Sequence, residues 1–325
     1  MSFKAWDKTN IILPDGSATE AICPVIISAS RATDIPAFYS KWFINQLNKG
    51  YVKWVNRYNG KEQYVSFSQA RVIVFWSKNP QPLIQHFTEL DAKGLNYYVQ
   101  FTLNDYEAEN FEPNVPSFEH RIETFKELSS LLGKKRVIWR FDPLMLTDTM
   151  TVERLLERVE RVGERVHPYT EKLVFSFADI TCYKTVQTNL FRENIHCIDF
   201  TPELMAEVAG RIQTLNKKWG LTLATCAEKL DLEKYGIEHN RCIDDRLMIS
   251  AFPKDEKLMD FLGYKVDMFG NADNEYMKDK GQRVTCGCMV SKDIGMYDTC
   301  PHQCVYCYAN VSPESVAKNR KLFEE

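Results

Sequence analysis

Short apolar runs, rich in β-branched and aromatic residues, alternate with longer amphipathic stretches through the first two thirds of the chain. Each run has the composition of a buried strand, and each stretch has the spacing of a helix. The runs predict six strands, at residues 25–27, 72–76, 97–101, 137–139, 173–177 and 221–225. Because a helix separates each strand from the next, the strands should run parallel and be joined by right-handed crossovers. The predicted fold class is α/β, a partial (β/α)6-type barrel.

Residues that favour helix ends support this arrangement. Helices are expected to begin near Ser117, Thr151 and Thr201, whose side chains can bind the first free amides. Asp34 and the pair Asn79-Pro80 are the predicted N-caps of the two helices that follow the first and second strands.

One excursion interrupts the alternation. Residues 51–58 and 61–67 predict a β-hairpin, because the Asn59-Gly60 pair between them is the strongest short hairpin-turn signal. Its basic and aromatic side chains could contact a nucleic acid, although a solvated hairpin with one packed face is the favoured interpretation. These side chains are Lys53, Trp54, Arg57, Tyr58 and Lys61.

Composition narrows the class of protein. The chain of 325 residues is 44% hydrophobic and 26% charged, an ordinary globular mixture, and its net charge of -3 gives no general electrostatic case for nucleic acid or anionic membrane. The longest apolar stretch, near residues 22–29, is too short to span a bilayer. The first residues lack the apolar run of a signal peptide. We therefore expect a cytoplasmic protein with no membrane partner.

Cysteine is the unusual component, with ten residues of which five fall between positions 286 and 307. Stable disulfides are rare in the cytoplasm, so clustered cysteines there indicate metal binding or catalysis. Cys300, Cys304 and Cys307 have CxxxCxxC spacing, and we name residues 300–307 the cysteine loop. Three thiolates on one loop can each bind one iron of a 4Fe–4S cluster and leave the fourth iron open to a cofactor or substrate. Zinc is the competing interpretation, but it favours four ligands in paired groups.

A second set consists of Cys226, Cys242, Cys286 and Cys288, which we name the cysteine quartet. The quartet is expected to hold an auxiliary 4Fe–4S cluster without an open iron; a zinc site with four thiolates, and buried cysteines without a metal, are the alternatives. His302, inside the cysteine loop, is expected either to donate to a cluster sulfur or to be exposed to solvent. The remaining cysteines, Cys23, Cys182 and Cys197, are expected to be structural.

Polar residues end several predicted strands, where the mouth of a barrel would lie. Among them are Arg31, Lys78, Arg140 and Asp142. Arg140 alternates with Trp139 and Phe141 along its strand, so Arg140 and Asp142 should face the mouth while the aromatic rings face the helices. A guanidinium in this position needs a carboxylate or phosphate partner, either from a ligand or from the protein.

The segment CPHQCVYCYAN resembles the cluster motif of the radical S-adenosylmethionine superfamily, CxxxCx(aromatic)C, with Tyr306 in the aromatic place. The sequence of this segment is also similar to that of the spore-photoproduct-lyase-like branch of the superfamily. Across essentially the whole chain, ISASRATDIP, IVFWSKNP, RVIWRFDP and KDKGQR resemble the uncharacterised domain-of-unknown-function 1848 family. Two features depart from the superfamily: the cluster motif lies near the C-terminus, and Ser77-Lys78-Asn79 stands where a Gly-Gly-Glu signature is usual.

The resemblance implies an enzyme that reductively cleaves S-adenosylmethionine at a 4Fe–4S cluster and abstracts hydrogen from an unknown substrate, for which a nucleotide or nucleic acid is one class. It implies that Tyr306 lies against the adenine, and the other candidate cofactor contacts are Arg31, Lys78, Arg140 and Asp142. A flavodoxin or ferredoxin would supply electrons. The alternatives are a non-catalytic metal- or nucleic-acid-binding protein with a structural cysteine site, and a barrel hydrolase or lyase that acts without iron.

The expected organisation has two parts. Residues 1–250 form the partial barrel, and residues 251–325 form a cluster-binding segment packed on the same domain. Because the motif comes last in the chain, the cysteine-rich segment is expected to fold back over the barrel mouth.

Overall fold

The computed structural model describes residues 3–267 and 271–323. In those residues the strands are β1 (Asp7–Ile12), β2 (Ala18–Cys23), β3 (Ile26–Ala29), β4 (Tyr51–Val55), β5 (Glu62–Ser66), β6 (Val72–Ser77), β7 (Asn96–Thr102), β8 (Val137–Leu144), β9 (Leu146–Thr147), β10 (Lys172–Phe177), β11 (Cys197–Ile198), β12 (Thr222–Thr225), β13 (Ile237–His239), β14 (Lys265–Val266), β15 (Ala272–Asp273) and β16 (Lys292–Asp293).

The helices are α1 (Ile35–Phe38), α2 (Ser40–Lys49), α3 (Gln81–Ile84), α4 (Phe87–Ala92), α5 (Phe118–Leu132), α6 (Val152–Val166), α7 (Lys184–Arg192), α8 (Pro202–Trp219), α9 (Asp245–Ala251), α10 (Glu256–Phe261) and α11 (Pro313–Asn319). Short 3-10 helices lie at Lys134–Arg136, His167–Tyr169, Glu233–Tyr235 and Arg320–Phe323.

The central feature is a sheet of eight parallel strands in the order β13-β12-β10-β8-β7-β6-β3-β16. All six strands predicted from the sequence are present in it, which confirms the mixed α/β class. The sheet has eight strands rather than six, because the short strands β13 and β16 extend its two ends. Among the described residues no strand pairing joins β13 to β16, so the sheet keeps two edges.

The two faces of the sheet are covered differently. On one face, Trp139 and Phe141 of β8 belong to a large apolar core with the helices, as the alternation predicts. On the other face, Ile138 packs in a smaller core with residues of α9 and α10. Asp255, just before α10, binds both Arg71 and Asn96 at the amino ends of β6 and β7. This segment therefore covers the amino end of the second face.

Most predicted helix starts are confirmed, because Ser117, Thr151 and Thr201 each accept a bond from a first-turn amide. Asp34 caps α1 in the same way. The predicted cap at Asn79 is wrong: Pro80 lies outside the helix, so Asn79 is too far from the first-turn amides of α3, and its side-chain oxygen is buried without a partner.

The hairpin is confirmed as the antiparallel pair β4–β5, and it belongs to a separate four-stranded sheet in the order β1-β2-β5-β4. Two of its candidate nucleic-acid contacts are bound by neighbouring side chains. Lys53 pairs with Glu62 at 2.6 Å, and the ammonium of Lys292 lies 3.3 Å from the centre of the Trp54 ring. Lys53, Arg57 and Lys61 are exposed, as is Tyr58 at 87%.

The pairing of β16 with β3 fixes the position of the C-terminal segment. The carboxylate of Asp293 accepts hydrogen bonds from the hydroxyl groups of Ser28 and Ser30 at 2.6 and 2.8 Å and from the amide of Arg31 at 2.9 Å. Because β3 and β16 are parallel, the residues after Asp293 leave the sheet at its carboxyl end, where the cysteine loop follows.

Candidate functional site

The cysteine loop is held at the carboxyl end of the first strands of the sheet. His302 lies with one ring nitrogen 2.8 Å from the carboxylate of Asp34, which follows β3, and the other 3.2 Å from the carbonyl oxygen of Asn114. The same Asp34 carboxylate accepts the amide of Lys78, which follows β6. The hydroxyl of Tyr39 donates to the carbonyl of Thr299 at 2.5 Å. His302 is buried, so the expectation of an exposed residue is wrong, while donation to a cluster sulfur stays a prediction; in this structure its ring anchors the loop.

Tyr306 carries its hydroxyl into a buried polar network. That hydroxyl donates to the carboxylate of Glu112, and the ammonium of Lys78 lies 2.8 Å from both groups. The side-chain amide of Asn104 donates to Glu112 at 2.9 Å and to Tyr306 at 3.1 Å. The second carboxylate oxygen accepts from Arg121 at 3.3 Å. The aromatic residue of the motif is thus fixed by two charged side chains and one amide from other parts of the chain.

Electrostatics inside this network favour the ionised forms. Burial raises the pKa of Glu112, but the positive charges of Lys78 and Arg121 outweigh it and lower that pKa to about 2. Burial lowers the pKa of Lys78, and Glu112 reverses the effect, so the net shift is upward. The carboxylate and the ammonium are therefore a charged pair at neutral pH.

The three thiols of the cysteine loop lie in a different environment. Burial raises the pKa of Cys300 to about 12, and it also raises the pKa of Cys304 and Cys307. Amide groups shape the loop: Asn310 donates to the carbonyl of Cys300 at 2.7 Å, and Asn189 donates to the carbonyl of Cys307 at 3.2 Å. The side-chain oxygen of Asn310 is buried with no partner.

The cysteine quartet assembles from three separate segments. Cys226 follows β12, Cys242 precedes α9, and the remaining two flank Gly287. The sulfur atoms of Cys226 and Cys242 are 3.8 Å apart. A β-carbon at Gly287 would lie 2.9 Å from the carbonyl oxygen of Asn240, so glycine is what lets this segment pack against residues 240–242.

Cys242 is the centre of the quartet. The guanidinium of Arg140 donates to its sulfur at 3.0 Å, and the amide of Asn240 donates at 3.2 Å. Hydrogen bonding from the Cys226 and Cys288 thiols, aided by Arg140, lowers the pKa of Cys242 well below its usual range. The same interactions raise the pKa of Cys226 and Cys288, which keep their protons.

Arg140 and Asp142 lie on the face predicted for them. Besides the sulfur, Arg140 binds the side-chain oxygen of Gln100 at 3.2 Å and the carboxylate of Asp142. The hydroxyl of Ser176 donates to the other oxygen of Asp142. Burial lowers the pKa of Arg140, but Cys242 and Asp142 raise it well above its usual range. The structure therefore places Arg140 beside the cysteine quartet.

Arg31 approaches both cysteine groups from β3. Burial lowers the pKa of Arg31, but the negative charges of Asp293, Cys242 and Asp279 outweigh it, so the net shift of that pKa is upward. Its backbone carbonyl accepts the hydroxyl of Tyr308, one residue beyond the cysteine loop, at 3.0 Å.

Asn104 connects the buried network around Tyr306 with Asp142. Its side-chain oxygen accepts the amide of Asp142 at 2.9 Å, while its amide group binds Glu112 and Tyr306. The predicted site residues thus divide into two groups: Lys78 and Tyr306 belong to the cysteine loop, whereas Arg31, Arg140 and Asp142 belong to the quartet.

Sequence reasoning missed several residues of the site, of which Glu112 and Asn240 are the most consequential. Glu112 lies in the connection after β7 and Asn240 in the one after β13, where no motif marks them. Arg121 could have been noticed, because it is a charged residue on the buried face of the amphipathic helix α5.

Within residues 3–267 and 271–323, no group of three or more His, Cys, Asp or Glu side chains is already arranged to hold a metal ion. The described part of the chain also has no helix that is both long and apolar enough to cross a bilayer. The three remaining cysteines lie outside both groups: Cys23 is buried, Cys197 half-buried and Cys182 exposed.

The fold and the site define an α/β protein whose parallel sheet gathers seven of its cysteines in two groups. A family model described as a domain of unknown function, DUF1848, matches residues 26–309. The chain therefore belongs to the DUF1848 family.

No curated protein matches the sequence. One similar solved structure is a putative alpha-L-fucosidase from Bacteroides thetaiotaomicron, with 10% identity, a TM-score of 0.24, and coverage of 79% of this chain and 83% of that chain. A TM-score of this size does not establish a common fold.

Proposed function

We propose that this protein is a radical S-adenosylmethionine enzyme whose 4Fe–4S cluster is bound by Cys300, Cys304 and Cys307. The observation that carries the proposal is the placement of the CxxxCxxC loop. Although it lies near the end of the chain, it is fixed beside the carboxyl ends of β3 and β6 through Asp34. That end of a parallel sheet is where α/β proteins place their ligands.

The donor set is suited to a cluster more than to a single ion. Three thiols fall within eight residues of one short loop. A single zinc ion needs its ligands around one point, whereas each cysteine of a cluster binds a different iron. The side-chain oxygen of Asn310, in the same segment as the three thiols, is buried and has no hydrogen-bond donor.

When bound and reduced, the cluster would supply the electron that cleaves the sulfonium bond of S-adenosylmethionine, and the 5′-deoxyadenosyl radical so released would abstract hydrogen from a substrate. Tyr306 would present its ring to the cofactor, with its hydroxyl held by Glu112 and Lys78. Lys78 has two neighbours that fix its ammonium, so it would position Tyr306 and contribute positive charge. Asp142 is held next to this network by Asn104, and we propose it as the contact for a ribose hydroxyl.

The strand order supports a barrel-like form for the site. The strands follow one another in chain order, and the last strand, β16, pairs with the first of the sheet, β3, as in closed barrels of parallel strands. We therefore interpret the sheet as a partial barrel with the cysteine loop over its mouth. A cytoplasmic setting and a flavodoxin or ferredoxin as electron donor belong to the same proposal, because the cluster needs a reducing environment.

The proposal is tested by product formation. Anaerobically purified, cluster-reconstituted protein is reduced with dithionite and mixed with S-adenosylmethionine, and 5′-deoxyadenosine is measured by liquid chromatography. We expect release by the native protein and by Cys182→Ala, a control at an exposed cysteine outside both groups. The triple variant C300A/C304A/C307A should fall to background. Background release by the native protein, or native-like release by the triple variant, would contradict the proposal.

A further inference from the structure

We propose that the cysteine quartet is a second metal centre, independent of the cysteine loop, which holds one tetrahedral thiolate-bound ion of the zinc type. This differs from the auxiliary 4Fe–4S cluster expected from the sequence. It goes beyond the proposed function and does not depend on it.

The distance between two ligand sulfur atoms distinguishes a single zinc ion from a 4Fe–4S cluster. Ligand sulfurs of one tetrahedral zinc ion, each at about 2.3 Å from the metal, lie about 3.8 Å from one another. The sulfurs of Cys226 and Cys242 are 3.8 Å apart. In a cluster each cysteine binds a different iron, so two ligand sulfurs lie farther apart than two ligands of one ion. The observed spacing therefore fits an edge of a single-ion site.

The other two cysteines continue from this pair. The side chain of Cys288 interacts with both Cys242 and Cys286, so the four sulfurs form a connected set although they come from three segments. They do not yet surround one point. In our proposal the ion draws the four sulfurs into a closed tetrahedron, and any protons that they carry leave to solvent as thiolate–metal bonds form.

The surroundings supply what a tetrathiolate site requires. Four thiolates around a divalent ion carry a net negative charge, and the guanidinium groups of Arg140 and Arg31 lie beside them. The amide of Asn240 donates to the sulfur of Cys242 at 3.2 Å, as groups around metal-bound thiolates commonly do.

Two further features belong to the same site. The side-chain oxygen of Asn240 has no partner, although the residue is only 3% exposed, so a buried polar atom is left unused at the site. Gly287 provides the close approach that brings Cys286 and Cys288 against residues 240–242.

The experiment measures zinc and iron per chain in anaerobically purified full-length protein by elemental mass spectrometry. We expect about one zinc per chain in the native protein and in Cys182→Ser. The double variant C286S/C288S should contain at least tenfold less zinc, with no loss of any iron the native protein holds, whereas Cys304→Ser, in the cysteine loop, should keep its zinc. Iron that falls by half in the double variant would show a cluster at the quartet and overturn the proposal, as would a native protein without zinc.

A measurement without any variant covers the case in which C286S/C288S does not fold. Native protein is stripped of zinc with a chelator and titrated with Co²⁺, which reports its geometry by visible absorption. The proposal predicts one equivalent with the intense bands of tetrahedral thiolate-bound cobalt, and a weak octahedral spectrum would contradict it. Failure of 5′-deoxyadenosine release would count against the proposed function alone, because it leaves the zinc and cobalt results unchanged.

Discussion

The cysteine loop and the cysteine quartet lie at the same end of one protein, yet the chain supplies their sulfur atoms in opposite ways. In the loop three cysteines come from one short run of residues, and the rest of the protein holds that run in place through His302 and Tyr306. In the quartet the cysteines come from three segments, which are held together by contacts such as the hydrogen bond from Thr285 to the carbonyl of Ala227 and the packing of Gly287 against Asn240.

The charges around the two groups differ as well. Arg140 donates directly to a sulfur of the quartet, and Arg31 lies close to two of its cysteines. Next to the loop, Lys78 binds Tyr306 and is already paired with Glu112. A closed, four-thiolate site has lasting negative charge to balance and so fits the arginine-rich position. A three-thiolate loop leaves one metal atom free for a cofactor that brings its own charge.

Substitution of Arg140 should have the largest effect, and it should affect the cysteine quartet but not the cysteine loop. Arg140→Leu leaves the carboxylate of Asp142 without its guanidinium and should lower the free energy of unfolding by about 3–5 kcal/mol, as for a broken buried ion pair. Arg140→Lys keeps the positive charge but loses the two-pronged guanidinium, and it should lower the free energy of unfolding by about 1–3 kcal/mol.

Both Arg140 variants should also weaken the retention of zinc against a chelator by about tenfold or more, without loss of iron. Arg165→Leu, in an exposed pair, is the control; native zinc retention in both Arg140 variants would remove Arg140 from the quartet.

Glu112 tests the loop side of the comparison. Its pKa lies near 2 in the folded protein against 4.5 for an ordinary Glu, so at neutral pH the ionised form stabilises the fold by about 3 kcal/mol. Glu112→Gln should lose that amount at pH 7. The difference from the native protein should be constant above pH 4.5 and shrink as the pH falls from 4.5 towards 2, because over that range the carboxylate of the unfolded chain becomes protonated while that of the folded protein stays ionised until near 2.

Urea unfolding of both proteins across this pH range checks the prediction. Glu119→Gln removes a carboxylate that is exposed and paired with Arg165, and it should change stability little at any pH. A Glu112→Gln difference that is independent of pH would mean that the carboxylate is not held in its charged form.

Substitution of Gly287 tests whether the quartet needs the close packing of residues 286–288 against residues 240–242. Gly287→Ala places a β-carbon 2.9 Å from the Asn240 carbonyl, so one of the two segments must shift, at a cost of about 2 kcal/mol. Zinc content should fall and iron content should not. Gly210→Ala is the matched control, since its β-carbon would meet a Tyr235 ring carbon at an ordinary 3.4 Å. Zinc loss in both variants, or in neither, would contradict the packing argument.

Asp34 should give the smallest of these effects. Asp34→Asn keeps a capping oxygen for α1 but removes the carboxylate that faces His302 and the amide of Lys78, which should cost about 1.5 kcal/mol. Iron incorporation during reconstitution should slow while zinc content stays constant. Asp15→Asn, in an exposed turn, is the control. Equal rates of iron incorporation in all three proteins would mean that Asp34 does not support the loop.

The features that sequence predicted well are those fixed by neighbouring residues. Thr201 begins α8 as predicted because capping depends on a few adjacent amides, and the six predicted strands needed only a local apolar run. The strand β16 has two residues and no pattern of its own. Its place depends on Asp293 binding serines more than 260 positions earlier, which no local rule can show.

The site divides in the same way. Cysteine spacing identified the loop, and the alternation along β8 put Arg140 on the correct face. The partner of that guanidinium was not predictable, because Cys242 is 102 positions away. Glu112 likewise meets Tyr306 across 194 positions and belongs to no motif. Long-range contacts of this kind decide which cysteine group each predicted residue serves.

X-ray absorption of the anaerobically purified native protein, at the iron and the zinc edges, tests most directly whether the two cysteine groups hold different centres. We expect iron with sulfur neighbours and a short iron–iron distance, and zinc with four sulfur neighbours at about 2.3 Å and no second metal nearby. Iron–iron scattering in a protein that contains no zinc, or zinc in a protein that contains no iron, would contradict it.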